Sequence, residues 1–189
     1  MPGFVLHLLR HGAPIEAGRM IGRTDSAPTQ EGVTACLERV AGLDVSALLA
    51  SDLMRASKAG EAIAEVMALP LSVDPRWREL DFGAWDGIAP AEIGTDALTP
   101  FWNDPDACPP PGGERWSDIV RRVRAAIVAL APVDTLVVTH GGAIRAALAA
   151  LLGFDHRQVW AFDLPYAALL SLRIWPGQAP AAQIIGLAR

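Results

Sequence analysis

Phe4 to Leu9 is apolar apart from His7 and ends in Arg10-His11-Gly12. A short run of this kind predicts a buried strand that delivers polar side chains at its C-terminal end. Pro28 and Thr29 precede a stretch in which Val33, Leu37 and Val40 recur at helical spacing, with Thr29 as the cap. Ala47 to Ala50 predicts another strand. Ser51 and Asp52 stand as cap candidates for a helix through Met67, whose end carries Ile63, Val66 and Met67. Leu71 to Val73 predicts a short strand. From about residue 74 to 113 Pro, Gly and Trp accumulate without a sustained period, which predicts irregular chain with short helical turns, and irregular segments of that length usually carry function.

Helical spacing returns over Glu114 to Leu130, where Ile119, Val123, Ile127 and Leu130 share one face. Thr135 to Thr139 predicts a buried strand ending in His140-Gly141-Gly142, followed by a helix through Leu152. Ala168 to Trp175 and Ala182 to Leu187 predict late strands. Strands that alternate with helices imply an α/β fold, a three-layer sandwich with a mostly parallel central sheet and helices on both faces. Ligands in such folds sit beyond the carboxyl ends of the strands, and both His11 and His140 fall there, each followed by glycine. Residues 1–189 are expected to form one domain, with an irregular substrate-side insert at about 74–113.

Composition narrows the functions. Hydrophobic residues make up 51% and charged residues 20%, a globular composition, and the longest apolar stretches, such as Ala146 to Leu152, fall far short of the ~20 residues of a membrane span. Met1 to Leu9 lacks a basic leader and reads as mature structure. Cys36 and Cys108 stand apart with no CxxC pattern, so a reducing, cytoplasmic setting is expected and no zinc signature is present. A formal net charge of -5 disfavours general nucleic-acid binding. A small anionic substrate would require arginines to converge locally.

Leu9-Arg10-His11-Gly12 resembles the RHG signature of the histidine phosphatase superfamily, which includes phosphoglycerate mutases and many small phosphatases. Gly22-Arg23-Thr24-Asp25 with Thr29 and Gly32 is similar to the loop before that family's first helix, and Ser51-Asp52-Leu53-Met54-Arg55-Ala56 to its second arginine motif. Glu79-Leu80 with Phe82-Gly83-Ala84-Trp85-Asp86-Gly87 resembles its acid-bearing segment, and Thr139-His140-Gly141-Gly142 its second histidine. The stretches occur in the family's order and span nearly the whole chain. The resemblance implies a phosphoglycerate mutase-like fold and a phosphohistidine intermediate on His11.

Phosphoryl transfer depends on positioning and on charge around three equatorial oxygens. Arg10 and Arg55 could each engage two oxygens through the guanidinium fork, and a protonated His140 would add a donor. In the family a backbone carbonyl fixes the tautomer of the attacking imidazole, and Gly12 lets the backbone approach closely. The resemblance makes Glu79 the proton donor, with Asp81 the rival by proximity. Arg23, Thr24, Gly141 and Trp102 complete the expected substrate contacts. No metal ligand set and no cofactor are expected. His7 is expected to pack and His156 to lie at the surface. Many family members carry an Asn a few residues after the glycine where this chain has Ala17, and Arg23 or Thr24 could compensate.

Phe101-Trp102-Asn103-Asp104-Pro105 and Pro110-Pro111-Gly112-Gly113-Glu114 resemble the substrate-side insert of α-ribazole phosphatases of cobalamin assembly, whose flat base would stack on Trp102 or Phe101. A broad-specificity phosphatase is the alternative, then a phosphoglycerate mutase, disfavoured because the chain stops soon after its last strand, then a catalytically silent phosphate-binding scaffold. The expected partner is a small phosphorylated metabolite, with neither nucleic acid nor membrane, and the protein a monomer or homodimer.

Overall fold

A computed structural model describes residues 3–177 and 181–189; Met1 and Pro2, the start of the expected mature N-terminus, and residues 178–180 lie outside the described residues. The strands are β1 (Phe4–Arg10), β2 (Ala47–Ala50), β3 (Leu71–Val73), β4 (Thr135–Thr139), β5 (Leu169–Trp175) and β6 (Ala181–Ala188). They form one sheet in the order β3-β2-β4-β1-β5-β6. The first four strands run parallel, whereas β5 pairs antiparallel with both β1 and β6. The fold is therefore α/β as expected, with a mixed sheet.

Alternation along the strands supplies both faces of the core. Leu6 and Leu8 of β1 join Val137 of β4 in one cluster, with Ile119 and Val123 of α5 (Trp116–Val128) and Ile144 and Leu148 of α6 (Gly141–Leu152). Leu9, Leu136 and Val138 point the other way and meet Cys36 and Val40 of α1 (Gln30–Val40) and Ile63 of α2 (Met54–Met67). The residues of β4 are all buried, as a strand covered on both faces requires.

Local signals hold in one helix and fail in another. Thr29 caps α1, accepting the Gly32 N–H. Neither Ser51 nor Asp52 caps α2: Leu53 is its cap residue, Asp52 pairs with Arg78, and the Met54 N–H goes to Asp25 Oδ1 at 2.6 Å, a carboxylate 29 residues upstream. The 74–113 segment holds 3₁₀ turns at Pro75–Trp77 and Gly83–Trp85, but also α3 (Pro90–Ile93) and the nine-residue α4 (Thr95–Asn103). It is thus more regular than its composition predicts, because Pro100 and a short length hide the helical period. The short α7 (His156–Val159) opens with a capping box from Asp155 and Gln158. No described helix is long and apolar enough to cross a membrane.

Candidate active site

β1 and β4 are parallel neighbours, and their register sets Arg10 opposite Thr139. The residues that follow, His11 and His140, therefore emerge side by side, tied by a hydrogen bond from the His11 backbone N–H to the Thr139 carbonyl (2.8 Å). Their rings meet edge-on, centroids 5.0 Å apart, and both are buried. His11 Nδ1 lies 2.7 Å from the Gly12 carbonyl. A carbonyl accepts only, so Nδ1 carries the proton and Nε2 keeps its lone pair. Burial, reinforced by the Arg55 charge and opposed by the Gly12 carbonyl, holds His11 well below the usual 6.5. Burial first, then Arg55, does the same for His140. The His140 ring nitrogens have no partner in the protein.

Arg55 enters from the first turn of α2 and is fully buried. Its Nη1 donates to the Thr24 carbonyl (2.8 Å) and its Nη2 to those of Ile21 (2.9 Å) and Gly22 (3.0 Å), leaving Nε–H unpartnered. The same loop is gripped from its amide side by Asp86, whose carboxylate accepts the N–H groups of Gly22, Arg23 and Thr24. Burial alone would push Asp86 upward, but hydrogen bonds from the Thr24 side chain and these amides hold it below the ordinary carboxylate value. Arg10 donates to the Leu164 carbonyl, lies over the Tyr166 ring at 4.3 Å, and leaves its Nε unpartnered.

Glu79 follows the Pro75–Trp77 turn, which Thr139 anchors through a hydrogen bond to the Trp77 carbonyl (2.7 Å). Its Oε1 accepts the Leu80 N–H (2.8 Å) and its Oε2 the Gly142 N–H (3.0 Å) at the start of α6. Asp81 turns elsewhere, pairing with Arg23 at 3.1 Å and accepting the Gly83 N–H.

Two clefts adjoin across Arg10, Glu79, Phe82 and Trp102. One, of about 240 Å³, holds His11, Arg19 and Tyr166. The other, also about 240 Å³, is walled by Phe101, Trp116 and Trp160 and reaches Gly141 and Arg145. The structure therefore brings Arg10, His11, Arg55, Glu79, His140, Gly12, Gly141 and Trp102 to one end of the sheet. Arg23 and Thr24 line neither cleft, nor do the more deeply placed Arg55, Gly12 and His140; Arg23 Nε pairs with Asp81, and Thr24 bonds to Asp86 and to Arg55. Ala17 is exposed and outside both clefts, and Arg19 stands at the first instead. His7 packs against Ser171 at 2.8 Å, and His156, half-buried, reaches the Asn103 carbonyl. Among the described residues no cluster of three or more His, Cys, Asp or Glu could hold a metal ion.

Sequence reasoning missed Tyr166 and Arg145. Arg145 follows Gly141 by four residues, the spacing that puts both on one helix face, and that signal was readable. Tyr166 precedes β5 in a loop, and no spacing points to it.

The family model for the histidine phosphatase superfamily, branch 1, matches residues 6–184. A curated relative, glucosyl-3-phosphoglycerate phosphatase of Mycolicibacterium vanbaalenii, is 33% identical over 78% of this chain and 74% of its own. The bifunctional protein Rv2228c of Mycobacterium tuberculosis is 30% identical over 95% of this chain but 53% of its own, so the chain spans about half the length of such relatives. Among solved structures, the mycobacterial glucosyl-3-phosphoglycerate phosphatase Rv2419c in complex with inorganic phosphate superposes with a TM-score of 0.85 at 27% identity, covering 97% of this chain and 96% of that one. The α-ribazole phosphatase of Shigella flexneri shares the fold, with a TM-score of 0.83 at 23% identity over 98% and 96%.

Proposed function

The chain belongs to branch 1 of the histidine phosphatase superfamily, and from that premise we propose that it hydrolyses a small phosphomonoester through a phosphohistidine formed on His11. One observation carries this reading. Around the free Nε2 of His11, the buried Nε of Arg10, the buried Nε of Arg55 and the ring nitrogens of His140 have no partner in the protein. Unpaired buried donors cost free energy, and a tetrahedral oxyanion would repay the two guanidinium Nε–H groups and one imidazole N–H at once.

The chemistry then follows from placement. His11 Nε2 attacks phosphorus while the ester P–O bond breaks, and Arg10 and Arg55 hold the equatorial oxygens. Protonated Glu79 gives its proton to the departing alkoxide. As a carboxylate it then takes a proton from a water whose oxygen bonds to phosphorus while the N–P bond breaks, releasing orthophosphate and restoring His11. Glu79 rather than Asp81 fits this role because it lines both clefts while Asp81 is held by Arg23.

The alcohol occupies the aromatic cleft, where Trp102 keeps 41% of its surface exposed beside Phe101 and Trp160. A ring-bearing alcohol suits these walls. The candidate to assay first is α-ribazole 5'-phosphate of cobalamin assembly, in the cytoplasm that two unpaired cysteines suit.

Rapid quenching after mixing with p-nitrophenyl phosphate tests the mechanism. Acid-labile, base-stable phosphate should appear on the wild-type chain and be absent from His11→Ala, which should also lose turnover. Continued phosphate release by His11→Ala would sink the reading.

A further inference from the structure

Pro165-Tyr166-Ala167-Ala168 leads into β5 as a turn, closed by the Ala168 N–H on the Pro165 carbonyl at 3.0 Å. Ala167 sits there in the left-handed region, with φ at 58°, which alanine seldom adopts because its Cβ crowds the following carbonyl. The surroundings impose it. The Ala167 N–H donates to the His11 carbonyl (3.2 Å), the Ala167 carbonyl accepts from Arg39 Nε of α1 (3.0 Å), and the Ala168 carbonyl accepts the Arg10 N–H (2.8 Å). These ties hold a strained turn in place, and the side chain they position is Tyr166.

Its half-buried ring lines the cleft of His11, with centroids 5.6 Å apart, and lies 4.3 Å from the Arg10 Cζ. Burial lowers the pKa of Arg55, opposed by the carboxylates of Glu79, Asp25 and Asp86 and by the phenol of Tyr166, which is thus near the second arginine as well. The donors around the phenol are spent elsewhere. Both Nη groups of Arg55 go to loop carbonyls, Arg10 Nη1 to Leu164 and His11 Nδ1 to Gly12. The Tyr166 hydroxyl therefore has no partner among the described residues.

Resting on the phosphatase reading above, we propose that Tyr166 is a further catalytic residue, whose hydroxyl donates a hydrogen bond to an equatorial oxygen of the phosphoryl group. Two guanidinium Nε–H groups and one imidazole N–H leave lone pairs on those oxygens unfilled. Ala17 offers no donor, Arg23 pairs with Asp81, and Arg19 donates to the Gly87 carbonyl at 2.7 Å. A neutral hydroxyl supplies the missing bond without adding positive charge beside His11, which must stay unprotonated to attack. The ring meanwhile backs Arg10 and fixes the plane of its guanidinium.

Tyr166→Phe removes the hydroxyl and keeps the ring, while Tyr166→Leu removes both. Tyr166→Phe should lower kcat/KM on p-nitrophenyl phosphate on the order of ten- to a hundredfold, the range of one hydrogen bond to a charged partner. Inhibition by orthovanadate, which mimics the five-coordinate transition state, should weaken by a similar factor, and binding of inorganic phosphate in calorimetry should weaken with it. Tyr166→Leu should lose at least as much. A Tyr166→Phe protein that matches the wild type, with losses confined to Tyr166→Leu, would overturn the proposal and leave the ring as a support for Arg10. So would slower turnover in Tyr166→Phe with unchanged orthovanadate inhibition, because the hydroxyl would then act away from the phosphoryl group. The binding measurements also separate this contact from the hydrolytic reading. Phosphate affinity that depends on the hydroxyl, in a wild-type chain that forms no phosphohistidine, sinks hydrolysis alone. Phosphohistidine formation with phosphate and orthovanadate bound equally by Tyr166→Phe sinks the Tyr166 contact alone.

Discussion

Gly12 and Gly32 bring the end of β1 against the start of α1 so closely that a Cβ on Gly12 would lie 1.9 Å from the Gly32 carbonyl oxygen. Contact between two backbones cannot relax by turning a side chain, so glycine is needed there to seat the Gly12 carbonyl under His11. Gly142 faces a different neighbour. A Cβ there would stand 2.0 Å from Glu79 Oε1, the far end of a flexible side chain. Gly142→Ala should therefore leave the fold intact and push the Glu79 carboxylate off the α6 terminus. If Glu79 supplies the proton to the leaving oxygen, the loss falls on poor leaving groups. We expect kcat on alkyl phosphates to drop on the order of tenfold or more, and on p-nitrophenyl phosphate to change far less. A steady-state comparison of the two ester classes, with circular dichroism to verify folding, checks this. Equal slowing of both would place the proton donor elsewhere.

Whole elements hold Glu79 in place from behind. Arg122 of α5 donates to the carbonyls of Arg76, Arg78 and Glu79 and forms a fork with Glu114, an ion pair with only 18% and 12% of the two side chains exposed. Removing one partner of such a pair strands the other, at a cost of about 3 kcal/mol or more. Arg122→Met should lower stability by that order in chemical denaturation and raise the leaving-group dependence of kcat. Adding Glu114→Gln should return part of the stability without restoring the leaving-group dependence, since the carbonyls stay unpinned. Stability recovered together with the rate profile would mean that Arg122 acts only through Glu114. Devices of this kind mark the limit of what the sequence discloses. The cap at Thr29, the buried strand β4 and the paired histidines are legible because each rests on neighbours in sequence or on strand register. The cap on Met54 is not, because Asp25 supplies it from a loop. Likewise, Arg23 and Thr24 sit in a family-like motif, yet it takes the folded chain to show them spent on Asp81 and Asp86. The antiparallel turn of β5 and β6 is similarly unmarked, since an apolar strand reads the same in either direction.

Taken as a whole, the molecule is acidic, with a formal net charge of -5, yet it gathers Arg10, Arg55 and two buried imidazoles at one end of the sheet. Burial there favours the uncharged imidazoles unless an anion joins them. In the unfolded chain a histidine titrates near 6.5, while burial and the Arg55 charge hold His11 and His140 well below that value in the folded protein. As pH falls below 6.5 the unfolded state therefore binds more protons than the native one, and stability declines by about 1.4 kcal/mol per pH unit for each such histidine until its folded value is reached. Carboxylates act at a lower pH. Asp52, held down chiefly by its hydrogen bonds with Arg78, and Asp86 contribute stability that is lost only as pH falls below the ordinary 3.8 toward their own values. Acid unfolding should thus show a first decline beginning near pH 6.5 and a second below 3.8. His140→Gln removes one titrating imidazole and should flatten the first decline while leaving the second. Sulfate, a dianion throughout this range, would favour protonated His140 and should protect the wild-type chain more at pH 5.5 than at 7.5, an increment that His140→Gln lacks. Melting curves of both proteins across this pH range, with and without sulfate, measure all three effects; identical pH profiles for the two would show that the buried imidazole at 140 is not what couples stability to protons.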